Sequence, residues 1–270
     1  MAFEIHISVV SHGHGQHIDS LLSDLAALPS ADSLQLTLTL NIPEQLSFEL
    51  AKLPFPHVLQ ENATPFSFSK NHNLAFDLAP EPESARFFLV LNPDTRIEGS
   101  VLSDLANVLN SFESQNVGVV GPKVVDEHGK VQENGRVFPD WAYLLKKLFG
   151  HEPANPIHSV NNIASVDWLA GMCVLLRRDT FRQLGGFDEA YRLYYEDVDL
   201  CLRLRQFGKT AILATDYQIV HIGQWKSRRN ITHLFWHCRS ALRFLGKLRA
   251  FRSKTTSSSN NTAAPTPNEE

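Results

Sequence analysis

Short apolar runs of strand length alternate with helical patterns along the first half of the chain. The clearest runs lie at residues 4–10, 34–40 and 87–91, and a shorter one lies at 57–59. Between the first two, apolar residues recur at the spacing of one helix face, at Ile18, Leu21, Leu22, Leu25 and Leu28. A second helix is predicted at residues 69–78. This alternation predicts βαβ units and an α/β fold with a mostly parallel central sheet flanked by helices.

Two polar loops follow strands of this predicted sheet. Ser11-His-Gly-His-Gly15 closes the first run and Asn92-Pro-Asp-Thr95 closes the third. Ligands bind beyond the carboxyl ends of strands in such sheets, so we expect both loops to face one cleft. The glycines beside His14 allow the backbone to approach a ligand closely. The sequence lacks Gly-x-Gly-x-x-Gly and the phosphate-loop Lys-Ser/Thr, so the usual dinucleotide and ATP signatures are absent.

Asp94 is a candidate metal ligand. Pro93 blocks extension of the strand, so the turn projects the Asp94 carboxylate into the cleft. A carboxylate suits Mg²⁺ or Mn²⁺, which keeps most of its other positions for water and phosphate oxygens. The tripeptide alone favours the alternative, an Asx-type turn in which Asp94 only caps backbone amides. A histidine after a strand is usually structural, but the neutral imidazole of His221 can complete a Mn²⁺ site.

The second half of the chain mixes strand and helix patterns. Strands are predicted at residues 117–125, 171–177, 211–214 and 217–220, and helices at 179–184, 197–207 and 230–251. The last helix is amphipathic, with apolar residues at Ile231, Leu234, Phe235, Cys238, Leu242, Leu245 and Leu248. From residue 253 onward, the tail is rich in Ser, Thr, Asn and Pro, which predicts disorder.

Three acids stand at the start of the helix predicted at 197–207. Glu196, Asp197 and Asp199 suit the positive end of a helix, and Asp199 can pair with Arg203 four residues later. The cluster can therefore be purely structural. The aromatic and apolar residues on both sides instead favour raised carboxyl pKa values, as a general base requires. The residues alone leave both interpretations open.

Basic residues concentrate near the C-terminal end. Residues 226–254 contain nine Lys and Arg and no Asp or Glu, although the net charge of the whole chain is −4. This asymmetry predicts an anionic partner, either a membrane surface or a phosphorylated substrate. The alternative is a solvated helix face whose apolar stripe packs on the domain.

Composition and cysteine usage indicate where such a protein works. Cys173, Cys201 and Cys238 are far apart in apolar runs, so we expect buried free thiols, which suit a reducing cytoplasm. The N-terminus has no basic signal region, and no apolar run approaches the roughly 20 residues that span a bilayer. We therefore expect a cytoplasmic protein that is neither secreted nor integral to the membrane.

Motifs in a fixed order resemble those of the family 2 glycosyltransferases, especially the rhamnosyltransferase-like branch of bacterial surface polysaccharide synthesis. They include Ile7-Ser-Val-Val-Ser11, Ser67-Phe-Ser-Lys-Asn-His-Asn-Leu-Ala75, Leu91-Asn-Pro-Asp-Thr95, Val117-Gly-Val-Val-Gly-Pro-Lys123, Asp167-Trp-Leu-Ala-Gly171, Gly185-Gly-Phe-Asp-Glu189, Tyr195-Glu-Asp-Val-Asp-Leu-Cys-Leu-Arg203 and Val220-His221. The resemblance implies a GT-A fold, a Rossmann-like α/β domain whose second half binds the acceptor.

The resemblance also implies roles for individual residues. Asp94 is the remaining acid of the family's Asp-x-Asp metal motif and His221 a further metal ligand, while Asp197 is the catalytic base and Glu196 its supporting acid. The expected donor-binding residues are Ser11, His12, Asn41, Asn73, Asn92 and Asp94, and the expected acceptor and sugar pocket contains Asp167, Trp168 and Gly171. Two departures, Asn41-Ile-Pro-Glu44 for the usual Asp-Asn and Ser67-Phe-Ser69 for Gly-Phe-Gly, leave the donor nucleotide least defined.

The expected activity is inverting transfer of a sugar, with rhamnose as the branch-level expectation. The donor would be a dTDP- or UDP-sugar with Mg²⁺ or Mn²⁺, and the acceptor a saccharide or lipid-linked saccharide. We expect a transferase domain at residues 1–224 (donor half 1–122, acceptor and catalytic half 123–224), a basic helix at 225–252 and a disordered tail at 253–270. No nucleic-acid partner is expected, and the basic helix would dock at the inner face of the plasma membrane. The alternatives are a non-catalytic nucleotide-sugar-binding scaffold protein and a metal-dependent nucleotide-sugar hydrolase.

Overall fold

The computed structural model describes residues 5–149, 151, 159–223 and 231–260. In these ranges the strands are β1 (Ile5–Ser11), β2 (Leu34–Leu40), β3 (His57–Glu61), β4 (Phe87–Leu91), β5 (Thr95–Arg96), β6 (Val117–Val125), β7 (Val131–Gln132), β8 (Gly135–Arg136), β9 (Ser159–Val160), β10 (Ile163–Val166), β11 (Trp168–Leu169), β12 (Cys173–Arg177) and β13 (Thr210–His221). The helices are α1 (Gln16–Ala27), α2 (Phe68–Asp77), α3 (Val101–Ser111), α4 (Trp141–Leu148), α5 (Arg178–Gln183), α6 (Glu196–Gln206) and α7 (Ile231–Asn260).

One large sheet organises these elements, with the strand order β3-β2-β1-β4-β12-β6-β13-β10-β9. Strands β3, β2, β1 and β4 are parallel neighbours, and β13 is parallel to β6. Strand β12 lies antiparallel between β4 and β6, and the short strands β8 and β11 form a separate pair. The mostly parallel sheet flanked by helices confirms the predicted α/β class.

Both faces of the sheet are buried, which explains why its central strands are almost uninterrupted apolar runs. Successive strand residues point to opposite faces. In β4, Leu89 and Leu91 belong to the core that contains the apolar stripes of α1 and α3. Phe88 and Val90 belong to the opposite core, which contains residues of α5, α6 and α7.

The strands at 34–40, 87–91 and 117–125 match their predicted bounds. The two strands predicted at 211–214 and 217–220 are one strand, β13, whose pairing with β6 shifts register between Ala214 and Gln218. Helices α3 and α4 were not predicted from the sequence. Helix α7 continues to Asn260, so the predicted helix end at residue 252 and the predicted disorder of residues 253–260 are wrong. Residues 261–270 lie outside the described ranges.

Helix α7 packs on the domain through one stripe and exposes another. Ala241, Phe244, Leu245 and Leu248 are buried, whereas Leu234, Phe235 and Leu242 are exposed. Cys173 and Cys201 are buried as expected, but Cys238 lies on the exposed stripe, so its predicted burial is wrong. None of the helices in the described part of the chain is long and apolar enough to cross a membrane.

Candidate active site

Strand pairing brings the two predicted polar loops together. Because β1 and β4 are parallel neighbours, with Val9 opposite Leu91, the segments that follow Ser11 and Leu91 leave the same edge of the sheet. The Thr95 hydroxyl donates to the Asn92 carbonyl at 2.7 Å and closes the turn around Pro93. Asp94 is buried in this turn.

The pairing of strands β5 and β13 brings His221 to Asp94. Strand β5 runs antiparallel to the end of β13, with His221 opposite Thr95. This register places His221 Nε2 3.3 Å from Asp94 Oδ1 and 3.4 Å from Asn92 Nδ2. The structure therefore brings Asn92, Asp94 and His221 together although 129 residues separate Asn92 from His221.

Gln132 defines the orientation of the His221 ring. Its Nε2 donates to the His221 carbonyl at 2.8 Å, so its Oε1 lies towards His221 Nδ1, at 2.9 Å. An amide oxygen only accepts, so Nδ1 carries the proton. Nε2 then faces the Asp94 carboxylate, where it can either donate a hydrogen bond to the carboxylate or ligate a metal ion.

The charge state of Asp94 suits a cation. Burial alone would raise the pKa of Asp94, but the hydrogen bond and charge of His221, with the charge of His14, hold it below its ordinary value. Among the described residues no group of three or more His, Cys, Asp or Glu is arranged to hold an ion. Asp94 and His221 fit a metal that takes most of its ligands from water and diphosphate oxygens.

Asn41, directly after β2, connects the loop that follows β1 to residues 62 and 66. Its backbone N–H donates to the Ser11 carbonyl at 2.8 Å, and its Nδ2 lies 3.1 Å from His12 Nδ1. Its Oδ1 accepts from Asn62 Nδ2 at 2.9 Å and from the Phe66 N–H at 2.8 Å. Three of the predicted donor residues, Ser11, His12 and Asn41, therefore lie together.

Glu44 was noted in the sequence only as a departure from the family pattern. Its carboxylate accepts the backbone N–H groups of Gly13 and Gly15 at 3.3 and 3.1 Å. Both glycines have positive φ, which aims these amides at one acceptor. Glu44 thus sets the shape of the loop that follows β1.

Asn73 has a different environment. Its Nδ2 donates to the Phe187 carbonyl and to Glu189 Oε1, each at 3.0 Å, and its Oδ1 accepts the Phe187 N–H at 2.8 Å. A Cβ atom at Gly186 would lie 2.4 Å from Asn73 Oδ1, so only glycine fits there. These contacts connect α2 to the Gly-Gly turn after α5, and the donor role of Asn73 stays a prediction.

Glu196 and Asp197 begin α6 at the wall of a cavity of about 200 Å³. Tyr194 and Tyr195 precede them with φ of 70° and 71°, a left-handed conformation that costs non-glycine residues energy. Asp197 Oδ1 accepts the Val198 N–H at 2.8 Å and Asp197 Oδ2 accepts the Gly171 N–H at 3.1 Å. Glu196 Oε2 is buried without a hydrogen-bond partner.

This environment raises the pKa of both carboxyl groups. Burial raises the pKa of Asp197 above its ordinary value, and the backbone amides of Val198 and Gly171 only partly offset the effect. Burial also raises the pKa of Glu196, and the charge of Asp197 raises it further. Neighbouring acids with raised pKa values are suited to accept a proton from a substrate.

Asp199 is structural, as its predicted pairing with Arg203 suggested. It is fully buried, accepts from Arg203 Nε at 2.7 Å and from the Tyr191 hydroxyl at 3.1 Å, and also contacts Lys247 Nζ.

The three residues predicted for the acceptor pocket divide into two groups. Trp168 lines the cavity, and the Gly171 amide bonds the Asp197 carboxylate. Asp167 instead pairs with Arg205 at 2.8 Å and accepts the Phe138 N–H at 2.7 Å. Arg136, Tyr143 and His237 also line the cavity, and no motif or spacing in the sequence predicted them.

Residues 171 and 172 connect the two parts of the site. The Gly171 N–H bonds Asp197, and the Met172 carbonyl accepts the Asn92 N–H at 2.9 Å. The acid pair and the Asp94 turn therefore lie on either side of one short stretch of backbone, in one site.

Comparison with known proteins agrees with this geometry. The sequence profile of Glycosyl transferase family group 2 matches residues 87–243, more than half of the chain and all of the segment from Asp94 to His237. The chain belongs to this family. It is a glycosyltransferase, and the predicted resemblance is confirmed.

Similar proteins of this family include the Rhamnosyltransferase WbbL of Escherichia coli K12, which is 27% identical over 93% of this chain and 96% of its own length. The N-acetylglucosaminyl-diphospho-decaprenol L-rhamnosyltransferase of Mycobacterium tuberculosis is 29% identical over 62% of this chain and 57% of its own length. The family 2 glycosyltransferase described here is thus similar to rhamnosyltransferases over most of its length.

Solved glycosyltransferases share the fold. A crystal structure of GalNAc-T7 with UDP, GalNAc and Mn²⁺ has a TM-score of 0.62 at 12% identity, over 85% of this chain and 45% of that one. The mannosyltransferase PcManGT of Pyrobaculum calidifontis, with GDP-Man and Mn²⁺, has a TM-score of 0.59 at 14% identity, over 89% and 64% of the two chains. The predicted GT-A fold is confirmed.

Proposed function

We propose that this glycosyltransferase is a metal-dependent, inverting rhamnosyltransferase that uses a dTDP- or UDP-sugar and a lipid-linked saccharide acceptor. The observation that carries the proposal is the half-buried Asp197, held by two backbone amides at the cavity wall and joined through residues 171 and 172 to the Asp94 turn. The names of the rhamnosyltransferases to which the chain is similar support the sugar and the lipid-linked acceptor.

The acid pair supplies the proton chemistry. Asp197 takes the proton of an acceptor hydroxyl while that oxygen bonds the anomeric carbon and the carbon–oxygen bond to the diphosphate breaks. The nucleoside diphosphate leaves with the electron pair, and a single displacement of this kind inverts the anomeric carbon. The neighbouring Glu196 raises the proton affinity of the pair.

Asp94 and His221 would hold the metal, with Asn92 beside them. A bound Mg²⁺ or Mn²⁺ would offset the negative charge that develops on the diphosphate. Ser11, His12 and Asn41 lie where the nucleoside would bind, and Trp168, Tyr143 and His237 where the acceptor would bind. Ser11, His12 and Asn41 support a donor half at residues 1–122, and Tyr143 and Trp168 support an acceptor half at 123–224, to which α7 adds His237 from outside that range.

The decisive variant is Asp197→Asn, which keeps the side-chain shape but removes the base. We expect a loss of about 10²- to 10⁴-fold in turnover with dTDP-rhamnose and a lipid-linked acceptor. The thermal shift produced by donor and Mn²⁺ should persist, because donor binding does not need the base. The exposed Glu127→Gln is the matched charge-removing control. Near-normal turnover of Asp197→Asn would contradict the mechanism.

The two alternatives give different results in the same assay. A scaffold protein shows the donor-dependent thermal shift without any turnover. A hydrolase releases free sugar at its full rate when the acceptor is left out.

The metal proposal has a direct test. Mn²⁺ binding, followed by calorimetry in the presence of nucleoside diphosphate, should weaken about 10- to 100-fold in Gln132→Leu, because the ring of His221 loses its orienting partner. His221→Ala should weaken binding at least as much. Unchanged Mn²⁺ affinity in both variants would show that the metal binds elsewhere.

A further inference from the structure

Helix α4 presents an apolar stripe to solvent. Trp141, Leu145 and Phe149, which directly follows the helix, are spaced four residues apart and are 58%, 52% and 73% exposed. Side chains at this spacing lie along one helix face. The α4 residue Tyr143 lies on another face and lines the catalytic cavity.

Helix α7 presents a second exposed apolar stripe. Leu234, Cys238 and Leu242 are also spaced by four residues, and Phe235 extends the stripe. Six of the eleven large apolar side chains that are exposed in the described part of the chain lie on α4 and α7 or directly after α4. Such a concentration on two elements indicates an interaction surface.

Charge identifies the kind of partner. Residues 141–149 and 231–260 contain no Asp or Glu. The basic residues Lys146, Arg239 and Arg249 are exposed on the same two helices. A face that is apolar and purely basic repels a second copy of itself and attracts an anionic bilayer. Tryptophan, here Trp141, is favoured at the boundary between lipid and water.

We propose that Trp141, Leu145 and Phe149 of the α4 stripe, with Leu234, Phe235 and Leu242 of the α7 stripe, form a docking surface for an anionic lipid bilayer. Tyr143 of α4 and His237 of α7 line the same cavity as Asp197, so both stripes flank the site where an acceptor is deprotonated. The inference rests on the proposed function, since it explains how the cavity meets an acceptor that stays in the membrane.

The experiment is flotation of the full chain with phosphatidylcholine vesicles, with and without phosphatidylglycerol. Wild type should float with the anionic vesicles, and the triple variant Trp141→Ser, Leu145→Ser, Phe149→Ser should bind about a hundredfold more weakly. Leu234→Ser with Phe235→Ser should weaken binding in the same direction. Phe207→Ser is the matched control, because Phe207 is 59% exposed at the other end of α6 from Asp197.

Three outcomes overturn the proposal: wild type fails to float, the triple variant floats like wild type, or Phe207→Ser weakens binding equally. If wild type is a dimer without lipid and the triple variant a monomer, the surface joins two copies instead. Thermal unfolding shows whether each variant is folded. Flotation needs no donor or acceptor, and transfer to a short water-soluble acceptor tests the proposed function separately, so the two can fail independently.

Discussion

Lys247 of α7 connects the C-terminal helix to the segment that carries the proposed catalytic acids. Its Nζ lies 2.8 Å from Asp188 Oδ2 and also contacts the fully buried Asp199, two residues after Asp197. Asp199 keeps two further partners, Arg203 and Tyr191. We therefore predict that Lys247→Met destabilises the fold without abolishing it.

The contacts of Lys247 determine how much stability the variant should lose. Breaking a buried ion pair costs about 3–5 kcal/mol, and the low end applies because Lys247 is about a third exposed and Asp199 retains two partners. A loss of about 3 kcal/mol corresponds to a fall in Tm of about 5 °C for a chain of this length, at about 2.1 cal/mol/K of unfolding entropy per residue.

The pH dependence of stability is a second test of the contact between Lys247 and Asp188. Burial tends to raise the pKa of Asp188, but hydrogen bonds from Lys247 and Arg243 outweigh it and lower the pKa in the folded state. The stabilisation is therefore present above the ordinary carboxyl pKa of about 3.9 and is lost as the pH falls below it. The Tm of Lys247→Met should be lower than that of wild type at pH 7, and the two Tm values should approach each other in acid.

Differential scanning calorimetry at pH 7 and at about pH 2 measures both effects, because the stabilisation is lost only below the ordinary carboxyl pKa. Arg249→Met, which removes an exposed cation from the same helix, is the control and should leave Tm almost unchanged. If Lys247→Met unfolds at the same temperature as Arg249→Met, Lys247 does not hold α7 to the domain.

Three further predictions follow from the site and its supports. In Asp197→Asn the pKa of Glu196, followed by NMR titration, should fall from about 8, because the variant removes the charge that adds to burial in raising it; an unchanged pKa of Glu196 would show that the two acids are not coupled. Burial lowers the pKa of His72 to about 3, so the unfolded chain binds a proton below about pH 6.5 that the fold excludes. The free energy of unfolding should therefore fall by up to about 1.4 kcal/mol per pH unit below about pH 6.5. In His72→Gln, the free energy from urea unfolding should depend less steeply on pH than in wild type. Asn73→Ala should cost about 2 kcal/mol of stability and leave donor affinity unchanged, whereas a selective loss of donor affinity would restore its predicted donor role.

A helix or strand could be predicted from the sequence where its pattern of apolar residues matches the burial of those residues in the fold. Strands β2, β4 and β6 are apolar because both sheet faces are buried, so their bounds follow from composition. Helix α4 was missed because apolar residues such as Trp141 and Leu145 face solvent, which obscures the periodicity. Helix α7 was predicted, but its amphipathic pattern mixes a buried stripe with an exposed one, so Leu234 and Cys238 could not be told apart from Leu245.

In the candidate site, some residues could likewise be predicted from the sequence, whereas their partners could not. Asp94 and Asp197 could be selected because ordered motifs flank them, yet their environment depends on residues far along the chain. The tautomer of His221 depends on Gln132, and the Asp197 carboxylate depends on the Gly171 amide. No local spacing predicts such partners, because strand register sets them.

The position of β12 explains how the fold assembles this chemistry. It is the antiparallel strand between β4 and β6, so it enters the sheet beside the carboxyl end of β4, where the Asp94 turn begins. The residues just before it, Gly171 and Met172, can therefore bond Asp197 on one side and Asn92 on the other. A parallel strand in that place would enter at the opposite edge and leave the two groups unconnected. The reversed direction of β12 is thus the topological feature that joins the proposed metal-binding turn to the proposed base.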